Sequence, residues 1–157
     1  DRHITGWAEY MLEEWMGLTL NREKTRVVNL REEGSSLDFL GYTFRYDRDR
    51  FGGSHRYLNM EPSKASLKRE RARLREMTSK SRSHVPLPQL IGDLNIHLRG
   101  WANYYSQGYP RKALRQINTY ARKRLTCHLR RRSQRPLKPK GGGSSYEAFQ
   151  NMGLVYL

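Results

Sequence analysis

Apolar residues recur at three- and four-residue intervals in several stretches of the chain and alternate with polar residues in shorter ones. The N-terminal stretch has the helical pattern, and Gly17 is the predicted end of that helix. Runs at 26–30, 37–46 and 56–61 have the β-branched and aromatic residues of strands, and Gly41 predicts a bulge or a close backbone approach within the second run. The apolar positions of the first helix are Ile4, Trp7, Met11, Leu12 and Trp15. This part of the chain is therefore predicted to form one helix followed by three strands.

The rest of the chain has a helical pattern. Ser63 is the predicted N-cap of a helix that reaches about Thr78. Pro86 and Pro88 begin the next helix and Pro110 begins a third, because proline is favoured in the first turn of a helix. The predicted apolar stripes are Ala65, Leu67, Leu74 and Met77 in the first of these helices, Leu90, Leu94, Leu98, Trp101 and Tyr105 in the second, and Leu114, Ile117, Tyr120, Ala121 and Leu125 in the third.

The end of the chain consists of a basic, Pro- and Gly-rich linker and a short tail. The linker is predicted to be flexible, and the apolar residues of the tail predict that it docks on the preceding helices. The predicted fold class is α+β, with a small antiparallel sheet and its helix followed by a basic three-helix bundle. The predicted segments are 1–61, 62–134 and 135–157.

Charge is distributed unevenly along the chain. The 157 residues carry a formal net charge of +15. Residues 1–61 hold 9 Lys and Arg against 11 Asp and Glu, whereas residues 62–157 hold 21 against 4. A surplus of this size implies a polyanionic partner, either nucleic acid or an acidic membrane surface. No apolar run is long enough to cross a bilayer, so no membrane span is predicted.

The lysines and arginines of the helical part are the candidate contacts to phosphate. Lys64, Lys68, Arg71 and Arg75 are spaced by four, three and four residues, so they share one face of the predicted helix. The full set of candidates is Lys64, Lys68, Arg69, Arg71, Arg75, Arg111, Lys112, Arg115, Arg122, Lys123, Arg130, Arg131 and Arg132, with Lys138 and Lys140 in the linker. The alternative interpretation is that these charges only keep a small bundle in solution.

The stretch RGWANYYSQGYPRK combines aromatic and basic residues. Trp101 and Tyr105 lie on the apolar stripe of their helix, so they are predicted to pack in the core. Tyr104 and Tyr109 fall off that stripe and are candidates for stacking on nucleic acid bases. The alternative is that each is a buried tyrosine whose hydroxyl is satisfied within the protein.

Metal and disulfide chemistry are not indicated. Cys127 is the single cysteine, which excludes an intramolecular disulfide, and its neighbour His128 points away from it on a helix. Asp47 and Asp49 are flanked by arginines and are predicted to be neutralised surface charges. We therefore predict no catalytic residue, no metal site and no cofactor in this chain.

Several motifs occur in the order found in a known family. GLTLNREKTRVVNL followed by SSLDFLGYTFR resembles the end of the palm in group II intron reverse transcriptases. LPQLIGDLNIHLRGWANYYS resembles the thumb and maturase-specific domain of that family, and YEAFQNMGLVYL resembles its short closing motif. The resemblance implies an RNA-binding maturase-type fragment. Such a protein grips structured intron RNA or a template–primer duplex and aids splicing and reverse transcription.

The resemblance also has implications for catalysis. The polymerases of the family use two Mg²⁺ ions held by palm aspartates, and the Tyr-Ala-Asp-Asp motif that carries two of them would precede residue 1. No polymerase activity is expected from this chain alone, and Mg²⁺ is expected only in the complete polymerase. Lys24 corresponds to a segment near the incoming nucleotide. The stretch 39–42 resembles the strand pair that steadies the primer end, although its apolar residues are equally consistent with simple packing against the first helix.

Two other functions stay open. In the first alternative, the chain is the C-terminal part of a split reverse transcriptase and is active only when another chain supplies the catalytic aspartates. In the second, it is a general basic module that binds DNA or a membrane. The preferred partners are RNA and the missing N-terminal part of the reverse transcriptase, without a membrane. The expected location is a bacterial-type cytoplasm, in association with the nucleoid or a ribonucleoprotein.

Overall fold

A computed structural model describes residues 2–25, 27–49, 53, 55–133 and 144–157. The fold is α+β, with an antiparallel sheet inserted between an N-terminal helix and a helical bundle. Its elements are α1 (Arg2–Tyr10), which continues as one π-helical turn (Met11–Trp15), then β1 (Ser36–Phe39), β2 (Tyr42–Arg48), β3 (Arg56–Pro62), α2 (Lys64–Met77), a short 3₁₀ turn (Lys80–Arg82), α3 (Leu87–Tyr104), α4 (Arg111–Arg132) and α5 (Ser145–Asn151).

The sheet begins with a hairpin that the sequence pattern does not predict. β1 and β2 are joined by Leu40 and Gly41, whose φ angles of 48° and 82° are both positive, as the tightest hairpin turns require. No bulge forms at Gly41, and the run 37–46 forms two strands rather than one, but the close approach predicted as the alternative at this glycine is confirmed. A Cβ at Gly41 would lie 2.6 Å from the hydroxyl of Tyr105, so this position requires glycine.

The predicted strand at 26–30 is also wrong, because residues 27–30 form no strand in the structure. Asparagine side chains bind the local backbone on both sides of this run. The Oδ1 of Asn21 accepts from the amide of Lys24, and the Oδ1 of Asn29 accepts from the amide of Arg31, both at 3.1 Å. These local turns compete with strand pairing for the same backbone groups.

One face of the sheet is polar. Arg45 forms ion pairs with Asp47 at 2.9 Å and with Glu61 at 3.0 Å, and Asn59 donates to Asp47 at 2.6 Å. These residues share a face because paired residues and residues two apart lie on the same side of a sheet. The hydrogen bond to Asp47 raises the pKa of the Arg45 guanidinium. The prediction that Asp47 is neutralised by an arginine is confirmed.

The first helix forms as predicted, but its apolar residues do not build a core. Ile4, Trp7 and Trp15 are 71%, 64% and 72% exposed. Phe39 and Leu40, at the tip of the first hairpin, are also exposed, so the predicted packing of these residues against the first helix is wrong. The N-terminal part of the chain therefore presents a large apolar surface to solvent.

The helical bundle contains the core. Ser63 caps α2 by accepting from the amide of Ser66 at 3.2 Å, and Thr78 follows the last residue of that helix, as predicted. The apolar stripes of α3 and α4 are confirmed, whereas Ala65 on α2 is exposed. The fully buried apolar residues of the bundle are Leu74, Leu90, Leu94, Leu98, Ile117, Leu125 and Phe149. Burial of each such side chain stabilises the fold by about 1.5–3 kcal/mol.

The tail docks on this bundle, as its apolar residues predict. Phe149 on α5 and Leu154 beyond it are both buried in the main core cluster. The Oγ of Ser144 accepts from the amide of Glu147, whose carboxylate accepts from the amide of Ser144, so α5 begins with a capping box. Most of the predicted flexible linker, including Lys138 and Lys140, lies outside the described residues.

Candidate nucleic-acid interface

A basic groove runs between α2 and α4. Five cationic side chains line this groove, and among the described residues of its lining none is acidic. The cations are Arg71, Arg111, Lys112, Arg115 and Lys123, accompanied by Gln116, Thr119 and Tyr120. The Nη2 of Arg71 donates to the Oε1 of Gln116 at 3.0 Å and so links the two helices. From Arg111 to Lys123 the helix rises about 18 Å, which is long enough to follow several phosphates of one strand.

The periodicity of α4 explains how the cations reach this surface. Its buried residues recur every three or four positions and face the core, so the intervening lysines and arginines point to solvent. These buried residues are Ala113, Ile117, Ala121, Leu125 and His128. The first turn of α4 carries Arg111 and Lys112 and no acidic residue, and Pro110 provides no side-chain cap. Because the helix dipole disfavours cations at this end, a bound anion would stabilise it.

The other predicted basic residues of α2 lie outside the groove. Lys64, Lys68 and Arg75 are exposed and share a helix face with Arg71, as their spacing predicts, and Lys64 lines a neighbouring pocket together with Lys112 and Gln116 of α4. Arg69 lies on the side of α2 that faces α3, where its Nη2 donates to the Oγ of Ser66 at 3.2 Å. The α2 candidates therefore lie on two sides of the helix, with Arg69 apart from the others.

Arg122 and Arg130 occupy separate positions on α4. The guanidinium of Arg122 lies 5.8 Å from the ring centroid of Tyr146, which itself stacks on Tyr156 at 4.0 Å. Its Nε is buried, and in the described part of the chain it has no hydrogen-bond partner. Burial raises the pKa of Tyr156, although the charge of Arg122 acts in the opposite direction. Arg130 is exposed.

Arg131 and Arg132 are bound to the backbone of the protein itself. Arg131 donates to the carbonyl oxygen of Thr78 at 2.5 Å, and Arg132 donates to that of Val85 at 2.7 Å. His128 contacts the same Thr78 oxygen at 3.3 Å. These side chains satisfy the carbonyl groups that follow α2, a structural role that the sequence pattern did not indicate. Their contact with RNA stays a prediction.

Tyr104 and Tyr109 both contact the sheet. The hydroxyl of Tyr104 donates to the carbonyl oxygen of Leu40 at 2.8 Å, and its ring stacks on Tyr42 with centroids 5.9 Å apart. The ring of Tyr109 lies edge-on to Tyr57 at 5.3 Å. Both tyrosines are nevertheless exposed, so stacking on a base stays a prediction for each.

Lys24 lies at an exposed position in the turn that Asn21 forms. It is not among the residues that line the basic groove. Its proximity to a nucleotide stays a prediction.

Sequence reasoning missed Glu70, which is only 4% exposed. The Nε2 of His97 on α3 lies 3.0 Å from both carboxylate oxygens of Glu70. A signal was present in the sequence, because Glu70 stands three residues after Leu67 and four before Leu74, on the predicted apolar stripe of its helix. A charged residue at such a position indicates a buried and partnered group.

The described residues offer neither a metal site nor a membrane span. In that part of the chain no group of three or more His, Cys, Asp or Glu side chains is placed to hold a metal ion. None of the helices formed there has both the length and the apolar character that a membrane crossing needs.

Comparison with known families adds an assignment for the helical part. Residues 67–142 match the family described as group II intron, maturase-specific domain. The match covers just under half of the chain and includes most of α2 and all of α3 and α4. No curated protein matches the chain.

Proposed function

We propose that this protein is an RNA-binding maturase that grips structured group II intron RNA through the α2–α4 groove and thereby aids splicing. The match of residues 67–142 to the maturase-specific domain supports a maturase role linked to splicing. The observation that carries the RNA-binding step is the groove, where five cations stand together within the matched segment. In this proposal the RNA performs the splicing chemistry and the protein stabilises its folded form.

The physical basis of binding is neutralisation of phosphate. Each lysine or arginine that meets a phosphate releases condensed counterions, so binding weakens as salt concentration rises. The backbone and shape of an A-form duplex provide most of the contacts to such a surface, and little base specificity is expected from the groove itself. The net charge of +15 also speeds the encounter with RNA.

Competition binding tests the proposal. A labelled group II intron RNA is titrated with the protein at moderate salt, followed by competition with duplex DNA or anionic vesicles. We expect the intron RNA to bind preferentially. Equal competition by all three ligands would instead indicate a general basic module, and absence of RNA binding would reject the proposed function.

Matched charge variants locate the surface. The double variant Arg115→Gln/Lys123→Gln removes two cations from the groove, and Lys80→Gln/Arg99→Gln removes two exposed cations elsewhere. The groove variant is expected to weaken RNA binding on the order of tenfold, and the control variant to have a much smaller effect. An equal loss in both would show that only the total charge matters.

The exposed apolar surface of α1 favours a second candidate. Side chains such as Trp7 and Trp15 are far more exposed than is usual for tryptophan. A complementary reverse transcriptase palm, which would also supply the Mg²⁺-binding aspartates, is a suitable partner for this surface. Primer extension with and without an added N-terminal palm tests it, and failure of the added palm to bind would exclude the split enzyme.

A further inference from the structure

An open cleft of about 310 Å³ lies between α2 and α3, away from the basic groove. Arg69, Glu70 and Arg73 of α2 form one wall, and Trp101 and Tyr104 of α3 contribute to the other. No residue of this cleft lines the α2–α4 groove. The two surfaces therefore present different chemistry, since the charged residues of the groove are all cationic whereas the cleft combines several aromatic rings, a carboxylate and guanidinium groups.

The aromatic wall is held in place by the sheet. Tyr105 lies between the other two rings, 4.7 Å from the centroid of Trp101 and edge-on to Tyr104 at 4.8 Å. The hydroxyl of Tyr104 is anchored on the carbonyl oxygen of Leu40, and its ring stacks on Tyr42. These contacts fix the rings before any ligand arrives, and a fixed aromatic surface is the usual platform for an unpaired base.

The carboxylate of Glu70 supplies the hydrogen-bond acceptors that distinguish one ligand of the cleft from another. Its side chain is almost completely buried, and His97, which contacts both carboxylate oxygens at 3.0 Å, does not itself line the cleft. An ionised carboxylate only accepts hydrogen bonds, and it has about four acceptor positions. The single Nε2 of His97 is shared between the two oxygens, so each oxygen keeps acceptor positions for a further donor. A ligand with two adjacent N–H donors matches this pair of oxygens.

We propose that this cleft binds one unpaired guanine of the RNA. Guanine presents two neighbouring N–H donors on its Watson–Crick edge, whereas uracil presents a single donor between two carbonyl groups that the carboxylate would repel. The ring of the base stacks on the exposed tyrosine, and Arg69 and Arg73, which line the same cleft, place positive charge beside the adjoining phosphate. This inference rests on the proposed RNA-binding function, but it assigns a distinct site and a base preference that the groove does not supply.

Short single strands test the base preference. Four fluorescent oligouridines that carry G, A, C or U at the central position are titrated with the full chain, and anisotropy gives each dissociation constant. The oligonucleotide with guanine is expected to bind about tenfold more tightly than the all-uridine strand. Equal affinity of all four strands would overturn the guanine site.

Four variants assign the effect to the cleft. Glu70→Gln and Tyr104→Ala are each expected to abolish the guanine preference, while Tyr104→Phe keeps the ring and should retain it. Circular dichroism verifies that each variant is folded, and Glu14→Gln makes the same charge change at an exposed distant position. Persistence of the preference in folded Glu70→Gln would also reject the site.

The failure of this inference differs from the failure of the proposed function. If intron RNA binds and the four short strands bind equally, only the guanine site is rejected. If neither intron RNA nor any short strand binds, the RNA-binding function fails and the guanine site fails with it. The groove variant Arg115→Gln/Lys123→Gln should weaken all four strands by the same factor and leave the preference unchanged.

Discussion

The side-chain amide of Asn118 on α4 forms two hydrogen bonds with the backbone of Leu157. Its Nδ2 donates to the carbonyl oxygen at 3.0 Å, and its Oδ1 accepts from the amide nitrogen at 3.1 Å. Asn95 on α3 binds the tail in the same manner, through the oxygen of Gly153 at 2.7 Å and the amide of Val155 at 2.9 Å. Two asparagines therefore satisfy the tail backbone in the way that a neighbouring strand would.

We expect Asn118→Ala to destabilise the fold by about 1–3 kcal/mol, because it leaves the donor and the acceptor of Leu157 without their partner. Urea denaturation followed by circular dichroism gives the free energy of unfolding. Asn103→Ala is the control, since Asn103 is an exposed asparagine on α3. An equal loss of stability in both variants would contradict the role given to Asn118.

Gly41→Ala should destabilise the protein more than Gly34→Ala does. Both glycines have a φ of 82°, so both substitutions incur backbone strain. Only at Gly41 would the new Cβ meet other atoms, namely the hydroxyls of Tyr105 and Ser66. The difference between the two free energies of unfolding measures how tightly the hairpin docks on the bundle. Equal values would mean that the close approach at Gly41 relaxes without cost.

The free energy of unfolding should decrease as the pH falls, because His128 is buried. Burial, and after it the charges of Arg131 and Arg132, lower the pKa of His128 and outweigh the opposing contact with the Thr78 carbonyl. The unfolded chain then binds more protons than the folded chain below a pH of about 6.5. The free energy of unfolding should therefore decrease as the pH falls below this value, by at most about 1.4 kcal/mol per pH unit, and level off below the folded-state pKa.

Urea denaturation of His128→Gln between pH 7 and pH 5 tests this origin. The variant should lose part of the pH dependence, whereas His84→Gln, at an exposed position, should retain it. An unchanged slope in His128→Gln would assign the acid sensitivity to other groups.

The stabilities of Arg131→Ala and Arg130→Ala should distinguish an arginine that stabilises the fold from one that is exposed to a ligand. Each removes one charge from the end of α4, but only Arg131 donates to the Thr78 carbonyl. Arg131→Ala is expected to lower the melting temperature, with a loss of about 1 kcal/mol, whereas Arg130→Ala should stay within about 0.5 kcal/mol of the unmodified protein. A loss of stability in Arg130→Ala alone would reverse this assignment.

Salt dependence measures how many phosphates the groove contacts. The logarithm of RNA affinity should fall linearly with the logarithm of salt concentration. For Arg115→Gln/Lys123→Gln the magnitude of this slope should decrease by between about 1 and 2, because each phosphate contact contributes about 0.7–0.9. A slope equal to that of the unmodified protein would place the contacted phosphates outside the groove.

The sequence predicted the helical bundle well because its signals are local. Ser63 as the cap of α2 and the proline at the start of α4 set boundaries through contacts within one turn. The stripes from Leu90 to Tyr105 and from Ile117 to Leu125 follow from helical periodicity alone. The same periodicity placed Lys64, Lys68, Arg71 and Arg75 on one exposed face.

The sheet was predicted less well because its turn depends on distant residues. Leu-Gly is not one of the usual hairpin dipeptides, and the Leu40–Gly41 turn is held by Tyr104 from α3 and by Ser63 and Ser66 at the start of α2. No pattern within a short window contains that information. The turn at Asn29 was missed for the opposite reason, since the β-branched residues before it outweighed a side-chain effect.

The sequence by itself determined the concentration of charge after residue 61, the bounds of the long helices and the apolar faces that they bury. Only the tertiary structure decided that α2 pairs with α4 to form one basic groove, that Arg131 serves the backbone, and that Glu70 lies buried beside aromatic rings. Helix formation depends on residues three and four positions apart, which a linear pattern displays. The neighbours of a side chain across the bundle are set by packing of the whole core, which no local pattern records.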